Sequence, residues 1–236
     1  MTPIGRVREI VRYPVKSMAG TAMESASLGW HGLDGDRRFA FRRLADDGRG
    51  GFPWLSASRL PELILYQPIG SDEPTHVRTP AGASLELRGP ELKAEIAARL
   101  GSDVELMKLK HGIFDEGAVS VIALATIAGI AREAGLDLDR RRFRANIVLE
   151  TGGGAPFLED AWVGRTLFFG DGDPRPALSV TMRDERCVMV NFDPETARQD
   201  ARVMKTVVRL NQNYAGVYAT VVRTGTIRVG DRVSLE

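Results

Sequence analysis

Cys187, the one cysteine in 236 residues, stands in the stretch LSVTMRDERCVMVNFDPET (178–196) with Arg183 and Arg186 just ahead of it. A thiolate attacks electrophiles and binds soft metals, and nearby cations favour it over the thiol. The run Cys187 to Val190 reads as strand, and Asp193-Pro194 marks a turn at its end, so the thiol is expected at the mouth of a β structure. A lone cysteine also packs readily as a small buried hydrophobe, and local sequence by itself leans that way. Around this residue the chain offers several groups suited to an anion. Lys16, Ser17 and Gly20 bring an ammonium, a hydroxyl and a flexible backbone into one loop, although a solvated turn would look the same. Arg37 and Arg38 enter a strand directly after the glycine-rich turn 29–36, where the alternative is a pair on a barrel rim. In the run 139–149, read as strand from Arg142 onward, alternation puts Arg142, Arg144 and Asn146 on one face, lining either an anion site or a charged edge. Thr126 is the expected N-cap of a helix over 127–134, whose dipole would favour an anion as well.

The elements that must position these groups are mostly short strands. Residues 3–12 alternate in the period of a half-buried strand that ends at Tyr13-Pro14. Further strands are expected at 22–28, 38–42, 60–67, within 75–87, and at 104–109, 166–169, 216–223 and 225–235, with a mobile hairpin tip at 45–51. A helix over 89–101 follows from Leu92, Ile96 and Leu100 recurring every four residues, and Gly101 closes it. Residues 195–211 carry no clear period. Regular short strands between Gly/Pro turns indicate a barrel or sandwich, with a few helices added.

Composition narrows the chemistry. With 43% hydrophobic and 27% charged residues, the chain suits one large soluble domain or two small ones sharing an interface. A net charge of +1 gives no general nucleic-acid or membrane surface. One cysteine and three scattered histidines (His31, His76, His111) supply neither an iron–sulfur cluster nor a structural zinc site, so redox chemistry would need a group asking for few protein ligands. The loop 151–156 is glycine-rich but lacks the spacing of a dinucleotide fingerprint. The N-terminus lacks the apolar core of a secretion signal, and a reducing cytoplasm is the expected setting.

Taken together, Tyr13-Pro14-Val15-Lys16-Ser17, Gly35-Asp36-Arg37-Arg38, the segment 142–148, Glu159-Asp160-Ala161-Trp162, Arg186-Cys187 ahead of Asp193 to Thr196, and 225–231 resemble the MOSC family. That family is named after the C-terminal domain of molybdenum cofactor sulfurase and includes amidoxime-reducing proteins. The resemblance implies a mainly β fold with a few helices (α+β), a MOSC β-barrel over 89–236 preceded by an N-terminal β-barrel-like domain over 1–88. It implies molybdenum cofactor (molybdopterin), with Cys187 as catalytic metal ligand and Lys16, Ser17, Arg37, Arg38, Thr126, Arg142, Arg144 and Asn146 around the pterin and its phosphate. Ala123 and Ala145 depart from the family pattern, standing where a Ser or Thr and a Pro are common. The implied activity is reduction of N-hydroxylated small molecules with electrons from separate transfer proteins, without nucleic acid or membrane. The alternative is a carrier of the cofactor, or of sulfur on Cys187.

Overall fold

The computed structural model describes residues 1–45, 53–70 and 73–236. The expected hairpin tip at 45–51 lies, apart from Ala45, outside the described residues. Strand β1 (Thr2–Arg12) leads into the short strands β2 (Thr21–Met23), β3 (Ser25–Gly29) and β4 (Gly32–Leu33), then β5 (Phe39–Arg43). A hairpin ladder β6 (Gln67–Ile69), β7 (His76–Arg78) and β8 (Ser84–Glu86) precedes helix α1 (Pro90–Leu100) and strand β9 (Val104–Lys108). The second half contains β10 (Val119–Ala123), α2 (Leu124–Ala134), β11 (Ile147–Thr151), β12 (Thr166–Phe169) and β13 (Ala177–Glu185). Helix α3 (Ala201–Asn211), β14 (Tyr214–Arg223), β15 (Gly225–Arg228) and β16 (Arg232–Leu235) complete it.

Seven strands close a barrel in the order β11-β10-β14-β13-β12-β16-β1, with β1 pairing back onto β11 and β2 flanking β1. Only β10 and β11 run parallel, and the connection they require is carried by α2. Alternate residues fill the interior: Val119 and Val121, Ile147 and Leu149, Leu178 and Val180, Val217 and Ala219, and Val233 and Leu235 are all buried. A bulge in β1 sits at Gly5, where φ is +158° and a Cβ would lie 2.1 Å from the Glu150 carbonyl oxygen, so only glycine allows this closure. A second core gathers Phe39, Leu63, Tyr66, Leu92 and Ile96 under α1, and a third packs Ile127 and Ile130 of α2 against Val203 and Val207 of α3.

Several local expectations are corrected. Residues 61–65 form a 3-10 helix because Pro61 occupies a first-turn position and removes a ladder donor. The segment 140–143 is also 3-10, and Arg144 then takes a left-handed φ of 51°, so no strand alternation links Arg142, Arg144 and Asn146. Residues 188–191, read as strand, make one more 3-10 turn with Cys187 as its N-cap. The strand expected over 22–28 breaks at Glu24, and the one over 225–235 breaks at 229–231, so that β15 pairs with β3 and β16 with β1 and β12.

Candidate functional site

A cavity of about 450 Å³ opens between the barrel and the first half of the chain. Cys187 reaches it by way of Arg186, whose guanidinium pairs with Asp184 and donates to the Phe143 carbonyl, while its backbone N–H bonds to Asn213. That clamp fixes the backbone just before an exposed thiol. The other nearby arginine, Arg183, stacks on Tyr214 at 3.7 Å and faces Asp160 at 3.6 Å.

Lys16, Ser17, Arg37 and Arg144, drawn from three separate loops, line the same cavity. Ser17, Arg37 and Arg144 all have positive φ (66°, 44° and 51°). Non-glycine residues in that region cost of order 1 kcal/mol or more and persist only where surroundings hold them, so this wall is built at a local cost in stability. Arg37 is the hub. It donates to Asp36 at 2.6 Å, to Asn146 Oδ1 at 3.1 Å and to the Arg144 carbonyl at 2.9 Å, and pairs with Asp115 at 2.6 Å. Burial opposes its charge, but Asp36 and Asp115 outweigh burial and hold the guanidinium above its ordinary range. Lys16 donates to the Phe114 carbonyl at 2.8 Å, and burial lowers its pKa.

Arg144 differs from its neighbours. Its guanidinium lies 4.3 Å from the Tyr13 ring centre, its Nη2 is buried with no hydrogen-bond partner, and burial pulls its pKa down to about 10. A buried donor without an acceptor is uncommon and points to a missing partner. Asp184, buried beside the thiol segment, accepts from the Ser120 hydroxyl at 2.9 Å, and burial raises its carboxyl to about 6. Trp54 and Phe114 meet edge to face at 4.6 Å in the same lining, with Ser56 and Ser58 close by.

Of the expected residues, Lys16, Ser17, Arg37, Arg144 and Cys187 converge on this cavity. Asn146 supports it from behind: buried, it accepts from Arg37 and from the Ser120 N–H and donates to Val11. Arg38 does not reach it, for it donates to the Leu109 and Lys110 carbonyls and staples the loop after β9. Arg142 is engaged by Asp193 at 2.9 Å and by the Asn191 carbonyl at 2.7 Å. Thr126 is not an N-cap. Ala123 occupies that position, while the Thr126 hydroxyl donates to Glu159 at 2.8 Å and accepts from the Phe157 N–H at 2.7 Å. Glu159 also accepts from the Ala123 N–H at 3.3 Å, so the anion at the start of α2 is the chain's own carboxylate. Asp36, Asp115 and Asp184 were missed, because an acid that orients an arginine looks like any surface acid until the fold brings the two together.

Among the described residues no three His, Cys, Asp or Glu side chains gather to hold a metal ion, so a metal at Cys187 would have to bring most of its ligands with it. Among the described residues no helix is long and apolar enough to cross a membrane.

Comparison with known proteins agrees with this architecture. The solved structure of the YuaD protein from Bacillus subtilis matches with a TM-score of 0.54 at 14% identity, over 98% of this chain and 95% of that one, which supports the fold alone. YiiM from Geobacillus stearothermophilus matches at 15% identity over 51% of this chain and 54% of that one, with a TM-score of 0.36. No curated protein matches the chain. The model of the MOSC N-terminal beta barrel domain matches residues 4–120. The MOSC domain model matches residues 108–234, over half of the chain, and the protein belongs to the MOSC family.

Proposed function

We propose that the cavity binds molybdenum cofactor and that the protein is an oxidoreductase reducing N-hydroxylated small molecules with electrons from separate partner proteins. The observation that carries this reading is one cavity lined both by an exposed thiol and by a guanidinium, that of Arg144, with no carboxylate partner among the described residues. Its volume of about 450 Å³ falls within the ~300–1,000 Å³ range of small-molecule sites. When bound, the cofactor would supply two-electron oxygen-atom chemistry at molybdenum. Cys187 would contribute the thiolate, the soft ligand such a metal favours. Arg144 and Lys16 would grip the anionic end. Arg37 would hold the loops that carry both, since its guanidinium joins Asp36, Asp115, Asn146 and the Arg144 carbonyl. Trp54 and Phe114 would keep water off the substrate side. A free exposed thiol persists in a reducing compartment, consistent with a cytoplasmic setting.

A second reading, a carrier of the cofactor or of sulfur on Cys187, is favoured by the exposure of that thiol, which a partner protein could reach. The test is metal and pterin analysis of protein made in a host that synthesises the cofactor, beside Cys187→Ser. Serine is nearly isosteric but a far poorer soft-metal ligand, so the variant is expected to fold and lose molybdenum. Equal molybdenum in both folded proteins removes the cysteine from the site. Turnover of an N-hydroxylated amidine with a chemical reductant then separates enzyme from carrier.

A further inference from the structure

Turning an N–OH group into N–H and water consumes two protons, so a cavity that does this needs an acid that holds a proton near neutral pH and can release it. Among the described residues of the lining, most acids are unsuited. Burial favours the proton on Asp115, but Arg37 and Lys16 outweigh burial and hold its carboxyl below the ordinary range. Glu116 and Glu185 stand exposed to solvent. The Tyr218 phenol is pushed above its ordinary range by burial and by Asp184, which makes it too weak an acid, and the Lys16 ammonium is taken up by the Phe114 carbonyl. Asp184 remains.

This carboxyl is 1% exposed at the end of β13, and its Oδ2 accepts from the Arg186 guanidinium and, at 2.9 Å, from the hydroxyl of Ser120 on β10. Arg37 ahead of β5, Asp115 ahead of β10 and Tyr218 on β14 also face it. Burial favours its proton, Arg186 and Ser120 favour its charge, and burial prevails, bringing the group to about 6. Both forms are therefore within reach near neutral pH. In the ionised form Ser120 donates to Asp184; in the protonated form the carboxyl donates to Ser120 Oγ, and the serine hydrogen is freed for the cavity that both residues line. We infer that Asp184 and Ser120 are the proton relay of this cavity, Asp184 storing the proton and Ser120 passing its own to the oxygen that leaves nitrogen. The relay rests on the cofactor reading, which supplies the two electrons through a metal reduced by partner proteins. As the N–O bond breaks, the departing oxygen takes the Ser120 proton, Ser120 takes that of Asp184, and the second proton reaches nitrogen from solvent. Asp184 is left as a carboxylate against Arg186 and regains its proton from water.

Two measurements test the pair. In apo protein carrying ¹³C-labelled aspartate, the Asp184 carboxyl, assigned by its loss in Asp184→Asn, is titrated by NMR. Its midpoint is expected near 6, and higher in Ser120→Ala, because the hydroxyl that favours the carboxylate is gone. In cofactor-loaded protein reducing an N-hydroxylated amidine with a chemical reductant, kcat should fall as pH rises through the same midpoint, since the protonated form is the donor. Asp184→Asn and Ser120→Ala should each lower kcat about 100- to 10,000-fold, with KM and molybdenum content little changed, and Asp184→Asn should abolish the falling limb. Should Asp184→Asn not fold, because it strips Arg186 of its counter-charge, Ser120→Ala leaves that ion pair intact and carries the test through turnover. A carboxyl that titrates in the ordinary range, about 4, overturns the relay. So does turnover whose size and pH limb are unchanged in the variants, for Asp184 is then only the partner of Arg186, and the reduction reading stands. Loaded wild-type protein that turns nothing over sinks the reduction reading and takes the relay with it.

Discussion

Replacing Arg144 with methionine keeps an unbranched stem and removes a charge that has no ion-pair partner among the described residues, with Asp115 and Asp36 opposing its burial only in part. Burial brings this guanidinium down to about 10. At about 1.4 kcal/mol per pH unit below the ordinary arginine value, keeping it charged costs about 3 kcal/mol, and because the side chain is only partly buried an effective 1–3 kcal/mol is the better figure. Against this, methionine gives up the contact with Tyr13, worth about 0.5–2 kcal/mol. The apo variant should therefore be as stable as wild type or up to about 2 kcal/mol more stable, measured by urea unfolding at pH 7. The sign follows from linkage. The folded pKa lies below the unfolded one, so the penalty is complete below pH 10 and is relieved as pH rises further, and the variant's advantage should shrink there. Ligand retention should move the opposite way, with Arg144→Lys losing part of it because the fork is gone and Arg144→Met losing about 10- to 100-fold. An apo variant destabilised by more than about 2 kcal/mol would refute this reasoning, since Arg144 would then be a structural cation.

Four other substitutions test the frame around the site. Glu159 is buried and its pKa is raised by burial, so the folded state holds its proton longer and stability falls as pH rises through the carboxylate range; Glu159→Gln should flatten that fall in unfolding curves between pH 4 and 7. Asp36→Ala leaves the Tyr13 N–H and one Arg37 donor unpaired, at about 3 kcal/mol by denaturant unfolding, the low end for a broken buried pair because Asp115 remains. On α3, Val207→Ala should cost about 2 kcal/mol as a core truncation and exposed Leu210→Ala less than about 0.5, a contrast readable in thermal midpoints.

Strand β1 was legible in the sequence through its alternating apolar and polar residues, although its last three residues, Ile10, Val11 and Arg12, are all buried. Helix α1 was legible through Leu92, Ile96 and the left-handed Gly101 that ends it. Helix α3 was not. Its buried face is only Val203, Thr206 and Val207, while the apolar Val208 and Leu210 sit outside and blur the pattern. At the site, Arg144 and Asn146 were picked out for a geometry that proved wrong, since one stands on a left-handed turn and the other is buried behind the cavity. They come together through Arg37, which donates to the Arg144 carbonyl and the Asn146 side chain more than a hundred residues away. Thr126 and Arg38 carried the right chemistry for an anion, but a carboxylate and two carbonyls of the same chain take it up. No local pattern encodes who reaches a donor first.

The pairing of β1 with β16, Thr2 opposite Leu235, sets the order in which the protein can be made. During synthesis the first stave of the barrel leaves the ribosome long before its neighbour β16, and β11, which flanks it on the other side, emerges only past the middle of the chain. Contacts of such sequence separation make folding slow, because the loop must be closed before the pairing rewards it. Lys16 and Ser17 hang directly on the end of that stave. The cationic wall, which needs Arg144 held by Arg37, therefore cannot be finished before the chain has passed the middle of this sequence, and β1 gains both of its barrel neighbours only once β16 has formed.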